Sequence, residues 1–380
     1  MQLIKAPRDA ILKPLSVVSG IVERRHTLPI LANILIRKDG SRVSFVSTDI
    51  EVQIKTEADI GTGGESMATT VAARKLLDIL RALPESGEVT LSHTAKKLTV
   101  QSGKSRFNLQ TLAAEDFPTV AQPESYLATF TLPQKTLKHL IAMVHFSMAQ
   151  QDIRYYLNGL LLVVDGKQVI AVATDGHRLA YCAVESEGVT GNGAATERHE
   201  VIVPRKSILE LQRLLGDGDA PVTIDLAPNQ VRFTFDDVEL ISKLVEGKFP
   251  DYQRVIPSGY TKSFSIGRDD WLRSLQRVAI LTSDKFKGVR FVLSEDAVKI
   301  SSTNADQEDA QDEIEVAYPH GTLDIGFNVS YLLDVLNNLK TEQVTVSVGD
   351  SNSSALITLP PGADGSGGDD FKYVVMPMRI

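Results

Sequence analysis

One pattern of apolar spacing recurs three times along the 380 residues. Leu12, Leu137 and Leu272 each sit in a first helical stripe, and Leu76, Ile208 and Leu332 each sit in a second. Within each series the copies lie roughly one domain length apart. In the middle copy Leu137, Leu140, Ile141 and Val144 fall at i, i+3, i+4 and i+7, the buried face of a helix. Strands follow, punctuated by Asp165-Gly166 and Asp175-Gly176, a dipeptide that tight hairpins favour because the turn needs positive φ. The first copy predicts a helix over 9–25, strands on either side of Asp39-Gly40, and a second helix closed by Pro84. The third predicts helices around Trp271 and Leu332, a hairpin in FVLSEDAVKISSTN, and a final strand YVVMPMRI. Each copy divides again into two halves, read as a helix followed by strands. Segments 186–197 and 361–370, rich in glycine, read as loops, the second of them enlarged. The expected fold class is α+β, with three repeated domains of two helices plus antiparallel sheets at 1–123, 124–256 and 257–380. Repetition on this scale points to a ring or an array.

Composition narrows the function. The one cysteine, Cys182, excludes an internal disulfide, and the seven histidines show no zinc-ligand spacing. The N-terminus lacks the apolar core of a signal peptide, and no stretch approaches the roughly 20 apolar residues of a bilayer span. The expectation is a soluble, cytoplasmic protein with no membrane partner. A net charge of -8 argues against a polyanionic partner until its distribution is considered. Five of the six helical segments carry more Lys and Arg than Asp and Glu, so the acidic balance falls outside them. A basic helical layer in an acidic chain reads as one face turned toward phosphates, with salt-dependent contacts blind to base sequence. The alternative, basic residues merely solvating each helix, suits any one helix better than five together.

Motifs of catalysis are absent. Gly103-Lys104-Ser105 resembles the end of a phosphate loop, but Leu98 stands where that loop needs glycine, so the segment reads as a turn. The acidic run from Asp306 to Glu313 lacks calcium-loop spacing and reads as a solvated edge or the counterpart of a basic one. His177 beside Arg178 invites a general-base reading, yet no nucleophile motif accompanies it, and a packing role at a turn fits better. No cofactor and no metal are expected. The residues alone leave open a nuclease whose basic helices hold substrate, and a repeat-built adaptor that binds peptides and no DNA.

The strings TLPIL at 27–31, RYYLNG at 154–159, ATDGHRLA at 173–180, SKLVEGKFPDY at 242–252, GFNVSYLLDVL at 326–336 and YVVMPMRI at 373–380 together resemble the bacterial β sliding clamp family, the processivity subunit of the DNA polymerase III holoenzyme. The resemblance runs along the whole chain. It implies a non-enzymatic head-to-tail homodimer, a six-domain ring around duplex DNA with the helices inside. Topology then retains the DNA, so each phosphate contact can stay weak and mobile. Carried over by motif, the DNA contacts are Arg25, Gln151, Tyr155, Tyr156 and Arg205. The dimer contact sets Lys75, Arg106, Phe107 and Leu109 on one edge against Ile280, Leu281, Asp306, Glu308 and Asp312 on the other. A pocket for short hydrophobic motifs is implied at Leu157, Thr174, Gly176, His177, Arg178, Leu179, Pro250, Arg254, Val255, Val374, Met376, Pro377 and Met378, with Asn328, Tyr331 and Ser354 at its margin. Its implied occupants are the replicative polymerase catalytic subunit, the clamp loader, other polymerases and repair proteins. Asn352 departs from the aliphatic residue that the family pattern sets beside this pocket.

Overall fold

The computed structural model describes residues 1–23, 28–94, 96–185, 198–283, 287–360 and 370–380. One unit, a strand, a helix and three strands, occurs six times, twice in each repeat. The first repeat holds β1 (Gln2–Pro7), α1 (Arg8–Val18), β2 (Asn33–Asp39), β3 (Arg42–Thr48) and β4 (Val52–Asp59). Its second half holds β5 (Met67–Ala72), α2 (Ala73–Ala82), β6 (Glu88–Thr94), β7 (Lys97–Ser102) and β8 (Ser105–Leu112). In the middle repeat these become β9 (Ala128–Pro133), α3 (Gln134–Val144), β10 (Gly159–Asp165), β11 (Gln168–Thr174) and β12 (Arg178–Glu185). There follow β13 (His199–Pro204), α4 (Arg205–Leu214), β14 (Pro221–Leu226), β15 (Gln230–Phe235) and β16 (Val238–Lys243), and then a short helix α5 (Tyr252–Val255). The last repeat has β17 (Lys262–Gly267), α6 (Arg268–Ala279), β18 (Gly288–Leu293), β19 (Ala297–Thr303) and β20 (Asp309–Glu315). It ends with β21 (Leu323–Asn328), α7 (Val329–Asn338), β22 (Gln343–Val348), β23 (Ala355–Thr358) and β24 (Asp370–Val375).

The strand leading each helix pairs outside its own half. β1 pairs with β6, β9 with β14 and β17 with β22; reciprocally, β5 pairs with β2, β13 with β10 and β21 with β18. Each such strand therefore satisfies its backbone groups only when the other half is present. A second rule governs the last strands. β4 of the first repeat pairs with β16 of the second, and β12 of the second pairs with β24 of the third. By compactness the chain forms two units: Met1–Lys135 with Leu209–Leu244 in one, and chiefly Thr136–Val189 with Val245–Ile380 in the other. The first contains a twelve-stranded sheet, and the second an eight-stranded and a four-stranded one.

The first helices carry a shared signature. Arg8 is buried at the start of α1 and donates from Nη1 to the Leu83 carbonyl at the end of α2, 2.9 Å away. Arg268 opens α6 and does the same to Leu336 of α7 at 2.9 Å. Gln134 opens α3 and accepts from the Gly216 N–H, just past α4, at 2.8 Å. Each polar side chain thus satisfies backbone groups at or near a helix end that the helix itself leaves open.

Several sequence expectations need correction. The reading of each half as a helix followed by strands omits the strand that leads it; β9 shows why, since its buried Ala128, Phe130 and Leu132 alternate for only six residues before the period changes. Because helices start at Arg8, Gln134 and Arg268, the equivalent of Leu137 is Ile11 and Trp271, not Leu12 and Leu272, which are only half-buried. The second-helix register on Leu76, Ile208 and Leu332 agrees with their starts. α1 ends at Val18, and Pro29–Ala32 is a 3-10 turn rather than strand, because Pro29 cannot donate to a ladder. Gly103 is the φ +54° turn between β7 and β8, as expected. The loops at 186–197 and 361–369 lie outside the described residues. The final strand stops at Val375, and 376–380 crosses to another sheet.

That crossing depends on two glycines. The Met378 N–H donates to the Gly326 carbonyl on β21 at 2.9 Å. A Cβ at Gly326 would lie 2.5 Å from both the Met378 oxygen and Ile380 Cδ1, and one at Gly288 on β18 would touch Met378 Sδ at 3.4 Å. Gly326→Ala should therefore lift the tail and cost about 1–3 kcal/mol, the range for overpacking a filled site. Urea unfolding and the rate of carboxypeptidase trimming measure it; wild-type values in both would mean that the tail does not pack there.

Candidate peptide pocket and nucleic-acid surface

The pocket residues gather around the turn from β11 to β12. Thr174 Oγ1 accepts the Gly176 N–H at 3.1 Å and donates to the Arg178 carbonyl, while Asp175 Oδ1 accepts the N–H groups of His177 and Arg178 at 2.9 and 3.1 Å. Gly176 sits at φ +89° with the Arg154 guanidinium directly over it, where a Cβ would meet Nη1 at 2.8 Å. Beyond the turn, Leu179 faces Val374 in the β12–β24 register. Both belong to a buried cluster with Phe249 and Tyr252, which sets Pro250, Arg254 and Val255 alongside. Leu157 is also buried, whereas Val255 and Met376 are about half exposed. The Met376 N–H donates to the His177 carbonyl at 3.0 Å, tying the tail to the turn. His177 is exposed, so the expected packing role is filled by its backbone and not its ring.

Arg178 is the centre of the cluster. Its side chain is nearly buried, pairing with Asp175 at 3.1 Å and Asp334 at 2.6 Å, donating to the Phe146 carbonyl at 2.8 Å, and lying 4.5 Å from the Tyr331 ring centroid. Burial opposes the charge, but Tyr373, Asp334 and Asp175 more than offset it, so the proton is held above the ordinary arginine value. Tyr373 donates its hydroxyl to the Tyr331 carbonyl at 2.8 Å, and burial raises its pKa. Asn328 caps α7, its Oδ1 accepting from Ser330 at 2.9 Å. The Ser354 carbonyl accepts from the Tyr260 hydroxyl, next to the residue that pairs with Val375. Pro377 follows Met376 out of the sheet. Met378 and Asn352 instead line a separate open groove of about 660 Å³ with Arg290 and Asp324. Arg154, Asp175 and Asp334 were missed from the sequence. All three lie within the strings that carry the family resemblance, and Asp175 also in an Asp-Gly turn.

The proposed DNA contacts divide. Gln151 (φ +56°) and Tyr155 are exposed on one loop, while Tyr156 packs against the buried cluster. The loop is braced internally: the Asp152 N–H donates to Asn158 Oδ1 at 3.0 Å and the Asn158 amide returns to the Asp152 carbonyl at 2.9 Å. Arg154 bonds the Asp152 carboxylate and holds its pKa at about 2. Ile153 at the tip is 96% exposed. Arg205 is half-buried and donates to the Met148 carbonyl, and burial together with Arg178 lowers its proton affinity. This bond ties it to the loop's root. Arg25 lies outside the described residues.

The two expected dimer edges run along β8 and β20. β8 pairs with β7 along most of its length and meets β5 only through Leu112 and Thr111, leaving Arg106 and Phe107 exposed. Leu109 is half-buried and Lys75 is exposed on α2. Among the described residues β20 pairs with β19 alone. Ile280 is 77% exposed, Leu281 is half-buried, and Asp306 and Glu308 are exposed around a turn organised by Asn304. Asp312 on β20 is paired with Arg277, whose Nε lies at 2.9 Å.

Beneath the turn, Tyr181 has its pKa pushed up to about 12 by burial and then by Asp370 and Tyr252. The unfolded phenol ionises at its ordinary 10.0. Its contribution to stability is then complete below pH 10 and lost as pH rises toward about 12. Denaturant midpoints across that window should fall less steeply in Tyr181→Phe than in the parent; identical slopes would contradict the assignment.

Among the described residues no helix is long and apolar enough to cross a membrane, and no group of His, Cys, Asp and Glu could hold a metal ion. Models of the DNA polymerase III beta subunit match its N-terminal domain at residues 1–121, its central domain at 131–251 and its C-terminal domain at 253–379. The Beta sliding clamp of Pseudomonas aeruginosa is 47% identical over 373 residues, and that of Escherichia coli K12 is 43% identical, each comparison covering 98% of both chains. A crystal structure of the Pseudomonas aeruginosa clamp bound to griselimycin superposes with a TM-score of 0.92 at 45% identity over 100% of both chains. Caulobacter crescentus pol III beta superposes at 0.89 with 35% identity, again over 100% of both. Three clamp domains of helices plus antiparallel sheets, matched along their whole length, make this chain a member of the DNA polymerase III beta subunit family, the β sliding clamps.

Proposed function

We propose that the chain acts as a DNA sliding clamp: a head-to-tail homodimer of six domains, at 1–123, 124–256 and 257–380 of each copy, that encircles duplex DNA and gives the replicative polymerase its processivity. It is a non-catalytic subunit, as its family is. The observation that carries the ring is the pairing rule of the last strands. β4 pairs with β16 and β12 with β24, so each repeat's first half joins the next repeat's second half. Continued once more, the rule joins β20 of one copy to β8 of another, the two last strands that among the described residues pair with no last strand of another repeat. Lys75 and Arg106 then face Asp306, Glu308 and Asp312, while Phe107, Leu109, Ile280 and Leu281 supply the apolar contact. Exposed ion pairs contribute about 0–1 kcal/mol each, against about 1.5–3 for each fully buried large side chain, so the apolar residues dominate.

Inside such a ring Arg25, Gln151, Tyr155 and Tyr156, helped by Arg205, would touch the sugar-phosphate backbone without reading bases. The pocket from Leu157 to Met378 would dock short hydrophobic motifs of the polymerase, clamp loader and repair proteins, and would also take griselimycin, which a relative binds. The half-exposed Met376 suits such a groove because thioethers repack readily. The location that follows is the bacterial cytoplasm, on the nucleoid.

Retention on circular but not linearised DNA after loading tests the ring; equal retention on both would refute it. Phe107→Ala with Ile280→Ala should turn dimers into monomers by light scattering at micromolar concentration, and an undiminished dimer would reject the assigned edges. Removing residues 376–380 should abolish griselimycin binding while the dimer persists; wild-type affinity would reject the pocket.

A further inference from the structure

The turn at 174–178 is held by a side chain that neither the sheets nor the core require. We propose that Asp334 is a positioning residue for the peptide pocket, acting through Arg178. The inference rests on the pocket reading above and goes further, naming what sets the pocket's shape. Asp334 lies on α7, whose core face is already supplied by Val329, Leu332, Val335 and Leu336. Its carboxylate is about half exposed, yet it takes Arg178 Nη1 at 2.6 Å.

Arg178 has two carboxylate partners. Asp175 belongs to the turn itself and moves with it, whereas Asp334 belongs to a helix. Asp334 therefore fixes the guanidinium, and with it the turn, relative to α7. Two pocket walls follow from that position. The Tyr331 ring lies against the guanidinium, and the His177 carbonyl at the other end of the turn holds the Met376 N–H. Without the Asp334 charge Arg178 keeps Asp175 and the Phe146 carbonyl but loses its carboxylate anchor outside the turn. The ring, the turn and the tail then no longer share one register.

The test is griselimycin affinity by calorimetry in four full-length dimers: parent, Asp334→Asn, Arg178→Lys and the double variant. Each single change should weaken binding at least about tenfold, and the double should be no weaker than the worse single, since both break one linkage. Asp334→Glu should recover to within about threefold of the parent, and melting temperatures should stay close together. Additive losses, or an Asp334→Asn affinity within twofold of the parent, would overturn the proposal. So would an Asp334→Asn chain that does not fold, because Asp334 would then serve stability. A parent that fails to bind griselimycin overturns the pocket reading and this proposal together, whereas a binding parent with indifferent variants overturns this proposal alone.

Discussion

A strand edge is a row of backbone donors and acceptors that must be filled or left to water, and each tier of this protein is decided by which strand fills it. Within a repeat, leading strands cross to the partner half, so a half alone would expose them. Between repeats, last strands join in pairs of five and six register positions, making one sheet from two domains. The division into two compact units follows from this exchange: β9 belongs with β14, and β13 with β10, so the middle repeat contributes strands to both. Applied to β8 and β20, the same requirement supports the proposed pairing with a second copy.

Pairing explains the floor of the proposed pocket but not its walls. Leu179 and Val374 lie in register and are buried with Phe249 and Tyr252, as any sheet interior would be. The rim is different in kind. A nearly buried guanidinium holds a turn, a helix and an aromatic ring together, and its desolvation is tolerable because two carboxylates and a carbonyl meet it. Close by, Arg154 braces the loop of Gln151 and Tyr155 against the same turn through the Asp175 carbonyl at 3.1 Å. Two arginines thus determine the shape of a surface that hydrogen-bonded ladders cannot reach.

The tail shows how absence of a side chain can specify a path. Gly288 and Gly326 leave a shallow track on adjacent strands, and Met378 and Ile380 occupy it. Met376 is held between this anchor and the His177 carbonyl, exposed but not free.

Much was determined by the sequence alone. Apolar periodicity specified the helices and the threefold repeat, because a helical stripe is a local property of three or four turns. The Asp-Gly dipeptides marked their hairpins for the same reason. The six-residue leading strands escaped, since their alternation is too short to separate from the helix that follows. Site residues were legible where they belonged to an unusual string, as in the segment ending at Arg178. Asp334 lies in such a string too, yet its role was not legible, because an aspartate on an amphipathic helix looks solvated until a guanidinium from another repeat arrives beside it. Only the tertiary structure decided which strand filled which edge, that Arg205 and Asp312 are occupied within the chain, and that Arg178 is buried. Those facts depend on groups far apart in sequence meeting within about 3 Å, a distance that hydrogen bonding demands and that no local pattern encodes.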